Sequence, residues 1–196
     1  MEKTRLEAFS DGVIAIIITI MVLEIHVPET ADRETVFHIL PSLISYILSF
    51  LIIGIYWNNH HHLFLTVKKI SSRIMWANLN FLFWLSLVPF ATAWMGKTKF
   101  NEMTVVVYAI LLLLNGFSFE MLRKSIIRTL KKVDLSTKGI SKLNLKTKIS
   151  IALYTISIPI AFWNIYMSLV LFALVAILWI VPSKSIENEI DKNYKT

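Results

Sequence analysis

The sequence has no cysteine, so disulfide frameworks, Cys-ligated zinc sites and thiol nucleophiles are excluded. It has no HExxH-type motif and no nucleophile–base pair within its apolar stretches, which argues against an intramembrane enzyme. No TVGYG-like run supplies a carbonyl selectivity filter, and no segment carries arginine at every third position as a voltage sensor does. The first apolar run is interrupted by Asp11 and followed by no small-x-small cleavage site, so it is expected to be a retained transmembrane helix and not a removed leader. No repeat relates the first three apolar segments to the last three, which weakens an inverted-repeat transporter.

What the chain has in quantity is apolar surface. Hydrophobic residues make up 56% of its 196 positions and mean hydropathy is +0.63, whereas soluble chains are nearer ~45–50% apolar. Twelve Phe, six Trp and six Tyr suit aromatic belts at two membrane interfaces. A span needs ~20 mostly apolar residues, and six candidates are found at about 6–25, 41–61, 74–94, 103–122, 149–163 and 165–181. Pro89 is expected to kink the third. The Trp163–Asn164 junction reads as a tight hairpin or as a break in one long helix. Length favours two spans, because a single helix over 149–181 would overrun a core of ~30 Å at 1.5 Å per residue. The expected fold is an all-α membrane protein with six transmembrane helices per subunit, one domain over 1–182, and no room at 163–164 for a re-entrant pore loop.

Charge placement gives the orientation. With six spans, only Arg33, Lys97 and Lys99 of the twenty Lys and Arg lie on one side; the others share the side of both termini. The positive-inside rule therefore makes the N- and C-termini cytoplasmic. A multi-pass location in the cell membrane is expected. Net charge +7 then reflects basic cytoplasmic loops, and no nucleic-acid partner is needed. The 123–148 segment is the most basic of these, a cytoplasmic loop that can touch anionic lipid headgroups. The 183–196 segment reads as a polar cytoplasmic tail.

The first segment, RLEAFSDGVIAIIITIMVLEIHVPE, holds Arg5, Ser10, Asp11, Thr19 and Glu24 within or beside a spanning run. Ionisable groups at membrane depth are costly and mark function by default. At about 100° per residue, Ile16, Ile20 and Leu23 share a stripe, continued by Phe9 and Arg5, with Gly12 and Thr19 at its edge. In one copy such a stripe packs in a bundle. In a ring of copies it faces the axis, where stacked Ile and Leu rings can gate by dewetting.

The residues Arg5, Phe9, Ser10 and Asp11 form R-x-x-x-F-S-D, and this stretch resembles the signature that opens the first helix of the transmembrane-protein-175 family of lysosomal and prokaryotic potassium channels. The resemblance is specific over about residues 5 to 25. It implies a potassium-permeable cation channel of the prokaryotic kind, a homotetramer of six-span subunits with no cofactor. It implies that the first helix lines the pore, with Ile16 as the narrowest ring, Ile20 and Leu23 as further rings outward, and Thr19 as a hydroxyl layer. It also implies that the signature residues bond to His, Asn and Trp of spans 2 and 3.

Span 2 ends with Trp57, Asn58, Asn59, His60, His61 and His62, and span 3 opens with Arg73, Trp76, Asn78 and Asn80. From these, His61, Asn58, Trp76 and Asn80 are the expected partners of Arg5, Phe9, Ser10 and Asp11, in a polar network that fixes the angle of the pore helix. No metal site is expected, since three consecutive histidines on one helix diverge by about 100° each. Glu24 lies about 80° from Ile16 and is expected to flank an outer mouth and attract cations. The competing function is a secondary ion- or proton-coupled transporter using Asp11 and Arg5.

Overall fold

The structure, a computed structural model, describes residues 2–28, 30, 32–67, 69–130 and 137–180, with side chains for all of these except 130 and 137–144. The expected tail at 183–196, Lys68, and 131–136 of the basic segment lie outside the described residues. The chain is all-helical where described: α1 (Lys3–Leu23), α2 (Arg33–Leu65), α3 (Ser72–Ser86), α4 (Val88–Lys97), α5 (Glu102–Leu130), α6 (Thr137–Trp163) and α7 (Ile165–Ile180). Five stretches are long and apolar enough to span a membrane, α3 and α4 together forming one of them, and α7 is a shorter apolar helix.

Two expected boundaries differ. α2 begins at Arg33 instead of 41, because hydropathy marks where the membrane ends and not where the helix does. Asp32 caps it, accepting a hydrogen bond from the Thr35 amide at 2.8 Å, and that bond holds the Asp32 carboxyl below the usual carboxylate range. Pro41 therefore sits inside the helix and not at its start. The 123–148 segment, expected as a loop, is helical on both sides of 131–136, since α5 runs to Leu130 and α6 starts at Thr137. At the start of it, Arg123 is buried and grips Glu120 through two nitrogens at 2.7 and 2.6 Å.

The third span breaks at Leu87, two residues before Pro89. Proline offers no amide to the carbonyl four residues back, so the ladder cannot continue through Leu85. At the far end of α4 the Lys99 amide bonds to Gly96 O at 3.1 Å and the Phe100 amide to Met95 O at 2.9 Å. This is a Schellman stop, with Lys99 (φ 51°) and Phe100 (φ 62°) both left-handed. The α6–α7 junction is a tight hairpin. Asn164 Oδ1 accepts the amides of Tyr166 (3.0 Å) and Met167 (3.3 Å), and Ser168 Oγ donates across to Ser157 O at 2.8 Å.

The centre of the bundle is α3, α4 and α5. Half of the third span's membrane stretch and 56% of α5's are buried, against 28% of α1's and 22% of α2's. Helices in lipid gain by close approach of small residues and by interhelical hydrogen bonds, and α2 meets α4 in this way. Thr92 Oγ1 donates to Ser49 Oγ at 2.7 Å, which in turn bonds the buried Tyr108 hydroxyl at 2.8 Å. Gly96 lies so close that an added Cβ would be 2.7 Å from the Ser42 Cα and from Ser45 Oγ. Gly96→Ala must therefore push two backbones apart, and a loss of about 1–3 kcal/mol is expected. Thermal unfolding in detergent should show it as a fall of about 2–4 °C per kcal/mol.

Candidate functional site

α1 leans on α2, α3 and α4 along one side only. That side is Leu6, Ser10, Ile14, Ile17 and Met21, spaced by three and four and all buried. On a wheel of about 100° per residue, Ile16, Leu23 and Thr19 point about 120°, 140° and 180° from the centre of this stripe and Ile20 about 80°. Within one chain Ile16 is 58% exposed and Leu23 79%, with Phe9, Ile20, Thr19, Gly12 and Arg5 also exposed. Thr19 Oγ1 donates to the Ile16 carbonyl at 2.9 Å, so its proton is used within the helix and its oxygen presents lone pairs outward.

The buried stripe carries a polar junction. Ser10 Oγ donates to Leu6 O at 2.8 Å and accepts from Asn78 Nδ2 at 2.8 Å. Asn78 Oδ1 is 2.7 Å from His60 Nε2. With the amide oxygen as acceptor, His60 donates from Nε2. All three side chains are fully or almost fully buried, and the His60 ring stacks between Phe64 and Phe81. Each buried polar group thus has a partner, which is the condition for keeping it in a low-dielectric interior. The adjacent Asp11 is only half-buried; its Oδ1 accepts from Trp57 Nε1 at 3.0 Å.

Of the expected clamp residues, the structure brings Ser10 and Asp11 to spans 2 and 3, but through neighbours of the expected partners. His60 replaces His61, Asn78 replaces Asn80, and Trp57 stands beside Asn58. Asn58 and His61 are exposed, Trp76 is 66% exposed, and Asn80 makes no hydrogen bond to α1. The reason is helical phase: neighbouring positions differ by about 100°, and it is Trp57, His60 and Asn78 that face the α1 side. Arg5 forms no ion pair among the described residues and Phe9 is half-exposed. The three histidines diverge, His60 inward and His61 outward against Trp57, and no group of three His, Asp or Glu among the described residues could hold a metal.

Glu24 is not a free carboxylate. Lys97 at the end of α4 lies 3.3 Å from its Oε2, so the pair offsets the charge that would attract cations. Below this pair a cleft of about 620 Å³ runs between α1 and α4, lined by Ile16, Ile20, Pro89, Phe90 and Trp94 among others.

A model of the family described as endosomal/lysosomal potassium channel TMEM175 matches residues 5–89. The chain is similar to a potassium channel of Chryseobacterium, with 46% identity over 193 residues that span 98% of this chain and 100% of the relative. It is similar to a potassium channel of Streptomyces collinus, at 35% identity over 65% of this chain and 66% of the relative. Among solved structures it is similar to that of a lysosomal potassium-selective channel TMEM175 homolog from Chamaesiphon minutus, with TM-score 0.79, 28% identity, and coverage of 92% of this chain and 97% of that one.

Proposed function

The chain belongs to the TMEM175 family of potassium channels, and from that premise we propose that it is a potassium-permeable cation channel, a homotetramer whose pore is lined by α1. Ile16 forms the narrowest ring, Ile20 and Leu23 form rings further out, and Thr19 places acceptor oxygens beside them. The observation that carries this is the exposure of Ile16, Thr19 and Leu23 on the side of α1 opposite its buried stripe. A helix held from one side only has a face available for an axis. The Ser10–Asn78–His60 junction and the Asp11–Trp57 bond hold that helix in place and stay out of the ion path.

Both termini are cytoplasmic in this reading, with Glu24 and Lys97 at the outer mouth, and no re-entrant loop takes part. The domain is the whole of 1–182, and the basic 123–148 segment meets anionic headgroups on the cytoplasmic side of a prokaryotic plasma membrane. The chain needs no cofactor, and the permeant species is K+.

One feature favours the alternative of an ion-coupled transporter: the break at Leu87, since transporters build sites at broken helices. Ion flux into liposomes separates the two. Purified protein is expected to pass K+ at channel rates without a proton gradient, and to run as a tetramer by native mass. Saturable, proton-coupled uptake would remove the channel reading, and a monomer could not form a central pore from one helix.

A further inference from the structure

We infer that Asn115 is the positioning residue of the α3–α4 break and, through α4, of the outer half of α1; the consequence for the pore rests on the reading of α1 as pore wall. Asn115 lies within the apolar stretch of α5 with no exposure at all. Its Nδ2 donates to Leu111 O on its own helix at 2.9 Å and to Trp84 O on α3 at 3.3 Å. Its Oδ1 is buried with no partner among the described residues. A leucine would fill the same space without an unpaired oxygen, so packing alone is a poor reason for an amide here.

The position of Trp84 supplies the reason. It sits in the last turn of α3, three residues before the break at Leu87 and five before Pro89. The break leaves the carbonyls of this turn short of donors, and freed carbonyls in lipid must be bonded from a neighbouring helix, a side chain or water. Trp84 O receives the Leu87 amide at 3.3 Å in a tightened turn, and Asn115 adds a donor from outside the helix. A break without such a bond is a swivel; with it, the angle between α3 and α4 is referred to α5, whose membrane stretch is 56% buried.

The angle matters because of what α4 carries. Pro89, Phe90, Trp94 and Lys97 form one wall of the cleft whose other wall includes Ile16, Ile20 and Glu24 of α1. α4 also meets α1 in the Glu24–Lys97 pair. α5 makes no comparable contact with α1, so Asn115 reaches α1 through α3 and α4, and its outer half through the α4 wall of the cleft.

The chain's lack of cysteine makes the test clean. In the full-length chain, reconstituted in liposomes and carrying Glu24→Cys with Lys97→Cys, a short bifunctional thiol reagent should join the two helices. Adding Asn115→Leu should lower the cross-linking rate at least fivefold, and Asn115→Ser, which cannot span to α3, should do the same if the leucine variant folds poorly. Pro89→Ala gives the Leu85 carbonyl its amide back, so in that background Asn115→Leu should change the rate less than twofold. An unchanged rate in folded Asn115→Leu and Asn115→Ser, or equal losses in both backgrounds, would overturn the inference. K+ flux is measured separately with Glu24 and Lys97 intact. Asn115→Leu should raise it about threefold, as α1 relaxes into the cleft. A lost cross-link with unchanged flux would uphold the role of Asn115 and count against α1 as the pore wall.

Discussion

Ile16→Asn should raise the potassium current of reconstituted protein about tenfold and bring sodium permeation close to that of potassium. A ring of isoleucine excludes water from a narrow passage, and an ion must shed hydration to cross it. A ring of carboxamides supplies donors and acceptors at the same radius. Lowering the barrier by about 1.4 kcal/mol accounts for the factor of ten. The side chain is 58% exposed within one chain, so the change should cost the fold no more than about 0.5 kcal/mol. Its neighbour is the control. Ile17 is 4% exposed and packs in the core, so Ile17→Asn should unfold the protein without first opening it. Single-channel recording and thermal melts of the two variants distinguish a gate from a packing position. Equal currents for Ile16→Asn and wild type would place the pore elsewhere.

Asn78→Leu should be the most damaging polar-to-apolar change at the α1 junction, at about 2–3 kcal/mol. It leaves the buried Ser10 hydroxyl without its donor and the His60 Nε2–H without its acceptor, and stranded buried groups cost about 1–3 kcal/mol each, toward the lower end for helix pairs in lipid. Asp11→Ala removes a bond to the exposed Trp57 and should cost under about 1 kcal/mol, with ion preference unchanged. Asp11 looks the more dramatic residue, but burial ranks Asn78 above it. Detergent-resistance assays or melts that put Asp11→Ala below Asn78→Leu would contradict that order.

The sequence shows the helices and the importance of α1 clearly. Apolar runs of about twenty residues with basic flanks have few other meanings, and R-x-x-x-F-S-D is specific. It shows the lateral contacts poorly. WNNHHH presents six adjacent candidates on a helix end, each turned by about 100° from the last, and which one meets Ser10 depends on how α2 is rolled against α3. Nothing local in the chain sets that roll. It is fixed by remote contacts such as Ser49 with Thr92 and the close seat of Gly96 on Ser42. The ends of α2 and α5 were hidden for another reason: a helix that leaves the membrane becomes polar before it stops. The role of Lys97 was hidden because Glu24 and Lys97 are 73 positions apart.

The lopsided embedding of α1 divides its residues into two populations that answer to different demands. Substitutions at Leu6, Ser10, Ile14, Ile17 and Met21 are read by the folding machinery, which sees only whether the helix seats. Substitutions at Ile16, Thr19, Ile20 and Leu23 are nearly silent to that test. On the proposed reading of α1 as pore wall, what the channel admits can change without disturbing how the helix seats, because tolerance and conductance vary along two rows of one helix, about a third of a turn apart.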